Sequence, residues 1–177
     1  MSVELWDVLD EHGNKTGRLH KRGKPLQPGE SHLVVHIWIV NQKAEFLISK
    51  RALNAEMWPS MWHTTGGAAV AGDDSLTAAL RETKEELGVD LDPNNGQLFK
   101  QHSRPCKQDI GAFVLMHAWL FRQEVDIASV LCQPEEICDA MWASKDEIRQ
   151  LVAENKFYPY SYLEEVLDFC EETKYER

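Results

Sequence analysis

The chain has too few basic residues to balance its acidic ones. Lysine and arginine together number 19 against 29 aspartates and glutamates, so the formal net charge at pH 7 is −10. Binding to nucleic acid polymers depends on neutralising many phosphates, and this balance therefore argues against such a partner. A small phosphorylated substrate remains compatible with the composition, because a bound metal ion supplies local positive charge.

Cysteine is scarce and shows no metal-binding spacing. The four cysteines are widely separated and form no C-x-x-C pair, which makes a zinc site an unattractive interpretation. Free thiols in a reducing compartment are the favoured reading. These residues are Cys106, Cys132, Cys138 and Cys170.

Long apolar runs are also missing. No stretch is long enough to predict a membrane span, and no basic segment followed by an apolar one opens the chain. We therefore expect no membrane partner and a cytoplasmic location. Internal repeats and low-complexity segments are absent as well, so the 177 residues predict a single domain with room for a hydrophobic core.

Residues 67–89 are the most informative stretch, and they read GAAVAGDDSLTAALRETKEELGV. Asp74 and Ser75 suit the start of a helix, because their short oxygen-bearing side chains accept hydrogen bonds from its first N–H groups. Gly88 supplies the stop, since glycine tolerates the left-handed backbone just beyond a helix end. Between these signals, one face carries the residues expected to be buried, namely Leu76, Leu80, Thr83 and Leu87.

The opposite face of this predicted helix is acidic. Glu82, Glu85 and Glu86 stand at positions i, i+3 and i+4, so their carboxylates share a face and repel one another. A hard divalent cation removes that repulsion, and oxygen ligands suit Mg²⁺ or Mn²⁺. Taken alone, such a cluster is more often a solvated face, and the case for a metal site depends on the surrounding pattern.

That surrounding pattern resembles the Nudix box, written G-x5-E-x7-R-E-U-x-E-E-x-G-U with U aliphatic. Two positions depart from it: Asp73 replaces the first glutamate, and Thr83 replaces an aliphatic residue. Asp73 keeps the charge on a shorter side chain, and Thr83 is expected to be a tolerated packing change. The positions that match are Gly67, Arg81, Glu82, Glu85, Glu86, Gly88 and Val89.

The resemblance implies an α/β fold, the Nudix α/β/α sandwich, with a mixed β-sheet and a loop–helix–loop catalytic motif. It implies that Glu82, Glu85 and Glu86 hold Mg²⁺ or Mn²⁺, with Glu82 also a candidate to orient or deprotonate the attacking water. Arg81 is expected to steer a glutamate, its i,i+4 partner being Glu85. Gly67 belongs to the metal site because it lets the backbone pass close to the ions.

The opening residues extend the resemblance along the chain. The segment WDVLDEHGNKTGRLHKRG predicts a hairpin typical of Nudix proteins related to isopentenyl diphosphate isomerase. The expected organisation is one domain over residues 1–177, with 1–30 as a hairpin extension and 67–89 as the box. The isomerases use a cysteine near the start of the box, whereas residues 63–69 here contain none.

Apolar runs and turn signals predict the remaining elements. Pro159 interrupts the C-terminal region, and Ser144 with Glu147 forms a capping-box pattern at the start of a helix. The predicted strands cover 4–10, 15–19, 32–40, 45–50, 98–103 and 112–122, with a strand region entered at 89–91, and the predicted helices cover 145–154 and 161–172.

Residues outside the box are weaker site candidates. Arg51 follows a strand and is interpreted either as a phosphate-binding side chain or as half of a surface ion pair. Trp62 is interpreted as lining the substrate pocket or packing the loop before the box. Glu135 or Glu136 is a candidate for the catalytic base or an extra metal ligand, with an exposed acidic turn as an equal alternative.

These observations predict a metal-dependent hydrolase that cleaves a diphosphate linkage in a nucleoside diphosphate derivative or another small phosphorylated metabolite. One alternative is isopentenyl-diphosphate isomerase-like activity, against which the missing cysteine speaks. The other is a non-catalytic Nudix module that binds a nucleotide, against which the intact glutamates speak. The expected partner is a small molecule, and a homodimer stays open because dimers are common among relatives.

Overall fold

The computed structural model describes residues 4–55, 57–107 and 109–172, so the outermost residues of the predicted 1–177 domain lie outside it. Strands and helices follow one another along these ranges. The strands are β1 (Leu5–Leu9), β2 (Lys15–Lys21), β3 (Ser31–Val40), β4 (Phe46–Arg51), β5 (Trp62–His63), β6 (Thr65–Ala68), β7 (Gly96–Pro105), β8 (Phe113–Arg122) and β9 (Ile137–Ala143). The α-helices are α1 (Ser75–Leu87), α2 (Lys145–Ala153) and α3 (Leu163–Glu172).

Strand β3 is the centre of a mixed sheet. On one edge it pairs in parallel with β8 over its whole length, from Ser31 opposite Phe113 to Val40 opposite Arg122. On the other edge it pairs antiparallel with β1, β6 and β4 in turn. The nearly continuous apolar sequence of β3 suits this position, because a strand buried on both faces has no polar side to present to water.

Helices cover both faces of the sheet, which confirms the α/β/α arrangement. Successive side chains of a strand point to opposite faces. Val35, Ile37 and Ile39 of β3 therefore pack in the hydrophobic cluster that contains α1. Trp38 and Val40 point the other way and pack with residues of α2 and α3.

The predicted helix boundaries are confirmed at the two caps that the sequence signalled most clearly. The Asp74 carboxylate accepts the Thr77 N–H at 2.7 Å, and Gly88 has φ of 69° in the left-handed region. Ser144 and Glu147 form the expected capping box at the start of α2. Thr83 is buried and donates to the carbonyl of Ala79 at 2.9 Å, so the departure at this position is accommodated within the helix.

The loop–helix–loop form of the box is confirmed, with residues 69–74 as the loop before α1. The first two residues of the box also belong to strand β6, which pairs with β3 and was not predicted. One local expectation was wrong. Residues 89–91 form no strand; Val89 and Leu91 are buried in the α1 cluster without a strand partner. Burial and strand pairing produce the same short apolar pattern, which is why sequence alone confused them.

None of the helices within the described ranges combines the length and apolar character needed to cross a bilayer. The longest of the three, α1, has 13 residues and carries the acidic face. Its length is well below the roughly 20 residues that span the hydrocarbon core of a membrane.

Burial of His63 predicts a pH dependence of stability. The ring lies in β5 with its Nε2 3.2 Å from the Ser49 hydroxyl, and burial, with a further contribution from the charge of Arg51, lowers its pKa to about 3. Below about pH 6.5 the unfolded chain binds a proton at this position and the folded chain does not, so stability falls as the pH decreases. When the pH is lowered from 7 to 5, the free energy of unfolding should therefore decrease in both proteins, and the decrease should be about 2 kcal/mol smaller in His63→Gln than in the parent.

Urea unfolding of the parent and of His63→Gln at both pH values measures this difference. Glutamine keeps a hydrogen-bonding group near Ser49 and has no proton to gain. Equal losses in the two proteins would show that His63 does not govern the acid sensitivity.

Candidate functional site

The acidic face of α1 packs against strand β6, and its three glutamates differ in how far they are exposed to solvent. Glu86 is 2% exposed, and the side chain of Glu82 is 13% exposed. The side chain of Glu85 is 54% exposed at the surface of the helix. At the junction of helix and sheet, Glu86 is thus buried and Glu82 largely so, while Glu85 beside them is in contact with solvent.

Arg81 connects the parts of this site. Its guanidinium donates from Nη1 to Glu82 and to Glu85, both at 2.9 Å. It also donates from Nε to Asp73 at 3.0 Å and from Nη2 to the carbonyl of Ala68 at 3.1 Å. The expected pair with Glu85 is therefore present, and Asp73 joins the same network through Arg81.

Glycines 66 and 67 allow the carboxylates to approach the strand. A Cβ atom on Gly67 would lie closer than 3.0 Å to the carboxylate of Glu82, an approach that real Cβ atoms do not make. The N–H of Gly66 points to Glu86 Oε2 at 3.4 Å, and a Cβ there would overlap the carbonyl of Val35. Glycine at position 67 therefore allows the Glu82 carboxylate to occupy the space that a side chain would fill.

The buried carboxylates carry strongly altered acidities. Burial raises the pKa of Glu82 to about 7, although the adjacent Arg81 guanidinium pulls it down. Burial also raises the pKa of Glu86 well above its usual range, and the charges of Glu82 and Glu136 raise it further. The Gly66 N–H and the Arg51 guanidinium act in the opposite direction. The charged forms of these two carboxyls are therefore disfavoured in the chain alone, and a bound cation would stabilise them.

Glu136 acts on this site from a separate part of the chain. Its charge raises the pKa values of both Glu82 and Glu86. The turn that carries it is held by backbone hydrogen bonds, with Gln133 N–H donating to the carbonyl of Glu86 at 3.0 Å and Ala52 N–H donating to the carbonyl of Glu136 at 2.7 Å. The structure thus brings this sequence candidate close to the helix glutamates.

The carboxylate oxygens of the site suit a hard divalent cation, although they do not converge on a single point. Within residues 4–55, 57–107 and 109–172, no three His, Cys, Asp or Glu side chains converge to hold a metal ion. Arg81 instead engages Glu82 and Glu85. Carboxylate oxygens are the ligands that Mg²⁺ and Mn²⁺ prefer, and the side-chain-free backbone at Gly67 leaves these oxygens room. The residues present therefore fit such an ion.

Arg51 lies at the end of β4, close enough for its charge to lower the pKa of Glu86. Its Nε donates to the carbonyl of Met57 at 2.7 Å. Across the part of the chain that the structure describes, no carboxylate lies within 4.0 Å of its guanidinium. The ion-pair interpretation of Arg51 is thus not what the structure shows, and its charge is available beside the glutamates.

Trp62 does not present its ring to the site. It is 8% exposed, packs in the cluster with α2 and α3, and has the Lys50 ammonium 5.7 Å from its ring centroid. Of the two interpretations of Trp62, lining the substrate pocket or packing the loop before the box, the structure favours packing.

Sequence reasoning missed Tyr160, which lies near Glu86. Burial raises the pKa of Tyr160 well above its ordinary value, with small contributions from neighbouring charges that include Glu86. Its hydroxyl accepts from Thr64 N–H at 3.3 Å. The signal that could have identified it is the aromatic run FYPYSY at residues 157–162, which follows α2.

Comparisons with known proteins agree with this geometry. A family model described as the NUDIX domain matches residues 30–163. An uncharacterized Nudix hydrolase of Listeria monocytogenes is 35% identical over 168 residues, covering 94% of this chain and 95% of that protein. An isopentenyl-diphosphate Delta-isomerase of Citrobacter koseri is 24% identical over 154 residues, covering 86% of this chain and 84% of that enzyme.

The fold also has relatives among solved structures. A protein from Deinococcus radiodurans, whose crystal structure was determined at 1.9 Å resolution, superposes with a TM-score of 0.68 and 20% sequence identity. The superposition covers 94% of this chain and 99% of that chain, and it shows a common fold.

The contact between Gly67 and Glu82 generates a prediction. In Gly67→Ala the new methyl group should push the Glu82 carboxylate aside, because a flexible side chain yields more readily than the sheet. We expect the affinity for Mn²⁺, measured by titration calorimetry, to fall about tenfold while the melting temperature changes little.

A double-mutant cycle provides the control. If the alanine acts by displacing Glu82, Gly67→Ala should weaken Mn²⁺ binding much less in a Glu82→Gln background. Additive losses in the double variant would contradict this explanation and indicate a separate effect of the methyl group on the backbone.

Proposed function

The chain belongs to the Nudix hydrolase family, and on that basis we propose that it hydrolyses the diphosphate linkage of a nucleoside diphosphate derivative or another small phosphorylated metabolite. The observation that supports this most directly is the buried pair of carboxylates, Glu82 and Glu86, placed against the glycine strand β6. Burying two like charges is unfavourable unless a cation compensates them, and a diphosphate substrate is bound together with such cations.

Each residue of the site has a role in the proposed reaction. Glu82, Glu85 and Glu86 would hold Mg²⁺ or Mn²⁺, which when bound neutralises phosphate oxygens and acidifies water. Glu82 also orients or deprotonates the attacking water. Arg81 holds the carboxylates of Glu82 and Glu85 in position. Arg51 binds a substrate phosphate, because its guanidinium is near Glu86 and has no carboxylate partner among the described residues.

Isopentenyl-diphosphate isomerase-like activity is the first alternative, since isomerases are among the relatives. No cysteine occurs in residues 63–69, near the start of the box. A side chain at position 67 would also have to displace the Glu82 carboxylate, which lies where its Cβ would be. These observations favour hydrolysis over isomerisation.

A nucleotide-binding module without catalysis is the second alternative. Such a module has no use for a buried, mutually repelling pair of carboxylates, whose presence lowers stability when no cation is bound. The retained network around Arg81 therefore supports an enzyme.

The proposal includes the setting of the reaction. A small molecule is the expected partner, since the net charge of −10 disfavours a nucleic acid polymer. A cytoplasmic location is proposed with it, supported by four cysteines that are all free thiols. Homodimer formation remains an expectation from the family resemblance.

Glu86→Gln tests the catalytic assignment. The substitution keeps the size of the side chain and removes its charge, so stability should be unchanged or higher, while turnover with Mg²⁺ should fall about 100-fold or more. The assay measures phosphate or monophosphate released from a panel of nucleoside, sugar, dinucleotide and prenyl diphosphates, with EDTA as the metal-free blank.

Glu154→Gln is the matched control, because Glu154 is exposed at the end of α2 and pairs with Lys156. It should retain parental turnover. Equal activity of Glu86→Gln and the parent would reject the role of Glu86. Deuterium incorporation into a prenyl diphosphate without hydrolysis would support the isomerase alternative.

A further inference from the structure

The sheet face opposite α1 carries a group of polar side chains beyond the glutamate site. Arg104 of β7 pairs with Val114 of β8, which in turn pairs with His32 of β3. His102 of β7 and His36 of β3 are an even number of residues from Arg104 and His32, respectively, so all four lie on the same face of the sheet as Trp38. We call this set, His32, His36, His102 and Arg104, the histidine groove.

The strand register places the members of the histidine groove near one another, and the electrostatic influence of Arg104 agrees with it. The charge of Arg104 contributes to lowering the pKa of His32, of His36 and of His102, after the larger effect of burial in each case. His32 has its pKa lowered to about 4 and His36 to about 3. These imidazoles are therefore neutral at pH 7, and each neutral ring has one donor and one acceptor nitrogen.

Two groove histidines have nitrogen atoms that lack a partner. The Nδ1 atoms of His32 and His102 are buried and have no hydrogen bond with any described residue. His32 is only 8% exposed, and its ring is stacked on Trp6 with 4.3 Å between centroids, so it cannot turn freely to find water. Buried polar atoms without partners are costly, which makes these nitrogens candidates for contacts with a ligand.

Arg104 is the cation of the groove, and it has no acidic partner. Within the described parts of the chain, no carboxylate lies within 4.0 Å of its half-buried guanidinium. Most other arginines of this acidic protein are paired, namely Arg18, Arg22, Arg81 and Arg149. An unpaired arginine among neutral histidines is suited to hold an anion from outside the chain.

Arg104 is too far from the glutamates to bind the same diphosphate. Across the sheet, β7 and β6 are three strand spacings apart, and Lys100 of β7 lies in the same register row as Gly66 of β6. Along β7, Arg104 is four residues further than Lys100. With strands about 4.8 Å apart and residues about 3.3 Å apart along them, the two α-carbons are roughly 20 Å apart. An anion bound at Arg104 would therefore be a different group from a diphosphate held beside Glu86.

We propose that the histidine groove binds the group attached to the diphosphate, and that this group carries hydroxyls and a second phosphate held by Arg104. The proposal rests on the proposed function and names its substrate class. Neutral imidazoles match hydroxyl groups, which also donate and accept. A phosphate fits Arg104 better than a carboxylate does, because its additional oxygen can accept from a neighbouring imidazole.

Matched pairs of diphosphates that differ by one distal phosphate provide the test. The probes are coenzyme A with dephospho-coenzyme A, and NADP⁺ with NAD⁺. Binding is measured by titration calorimetry under two conditions that limit turnover: to the parent chain in EDTA, and to Glu86→Gln in the presence of Mg²⁺. We expect the phosphate-bearing member of at least one pair to bind about 10- to 100-fold more tightly, as a charge-assisted bidentate contact predicts.

Variants locate the contact. Arg104→Met should abolish the preference, so that both members of a pair bind about equally tightly. Lys43→Met, which removes a charge in the turn between β3 and β4, should retain the preference. His102→Phe retains a ring beside Tyr162 and removes the unpartnered nitrogen, so it should weaken both members of the pair about three- to tenfold without changing their ratio. Circular dichroism verifies the fold of each variant.

Several outcomes would overturn the assignment. These are no detectable binding of any probe, equal binding within both pairs, and a preference that survives Arg104→Met. Failure of the proposed function would look different: the phosphate preference would be present in EDTA, but Mg²⁺ would produce no hydrolysis of any diphosphate. Hydrolysis without the preference would leave the proposed function standing and reject the histidine groove.

Discussion

The candidate site depends on the placement of two carboxylates in the junction between α1 and β6. Glu82 and Glu86 are buried there, and both have pKa values raised by that burial. Charged groups are stable in such a place only if hydrogen bonds and opposite charges compensate for the lost water. The protein supplies part of this compensation through Arg81 and the Gly66 N–H. The remaining negative charge is what suits the site to a divalent cation.

Several backbone features exist to maintain this junction. Gly67 removes the side chain that would collide with Glu82, and pairing of β6 with β3 holds that glycine in the sheet. At the end of α1, the N–H groups of Leu131 and Gln133 donate to the carbonyls of Leu87 and Glu86. These bonds satisfy exposed carbonyls of the last turn and also bring the turn with Glu136 to the glutamates.

The positive charges of the protein complement this acidic centre. Arg51 stands beside Glu86, and Arg104 stands at the far end of the opposite sheet face, each without a carboxylate partner in the described residues. In a chain of net charge −10, two partly buried arginines without a carboxylate partner in the described residues suit the proposed contacts with an anionic substrate. The distribution is consistent with the proposed elongated anionic substrate, extending across the sheet from the junction of α1 and β6.

The amino-acid sequence by itself determined the helix of the box, its caps at Asp74 and Gly88, and the common face of Glu82, Glu85 and Glu86. These are local properties, because a helix brings residues three and four apart together whatever surrounds it. The same holds for the N-terminal hairpin and for the apolar strand β3, whose patterns predicted elements that the structure contains.

Only the tertiary structure decided which glutamates are buried, that Glu136 joins them, that Trp62 faces the core and that His32 and Arg104 share a groove. Each of these depends on pairing between strands distant in sequence, where a shift by one residue turns every side chain to the other face. Periodicity indicates that a strand exists and cannot identify its neighbours. For this reason the helix of the box could be predicted from the sequence, whereas the histidine groove could be recognised only from the sheet register.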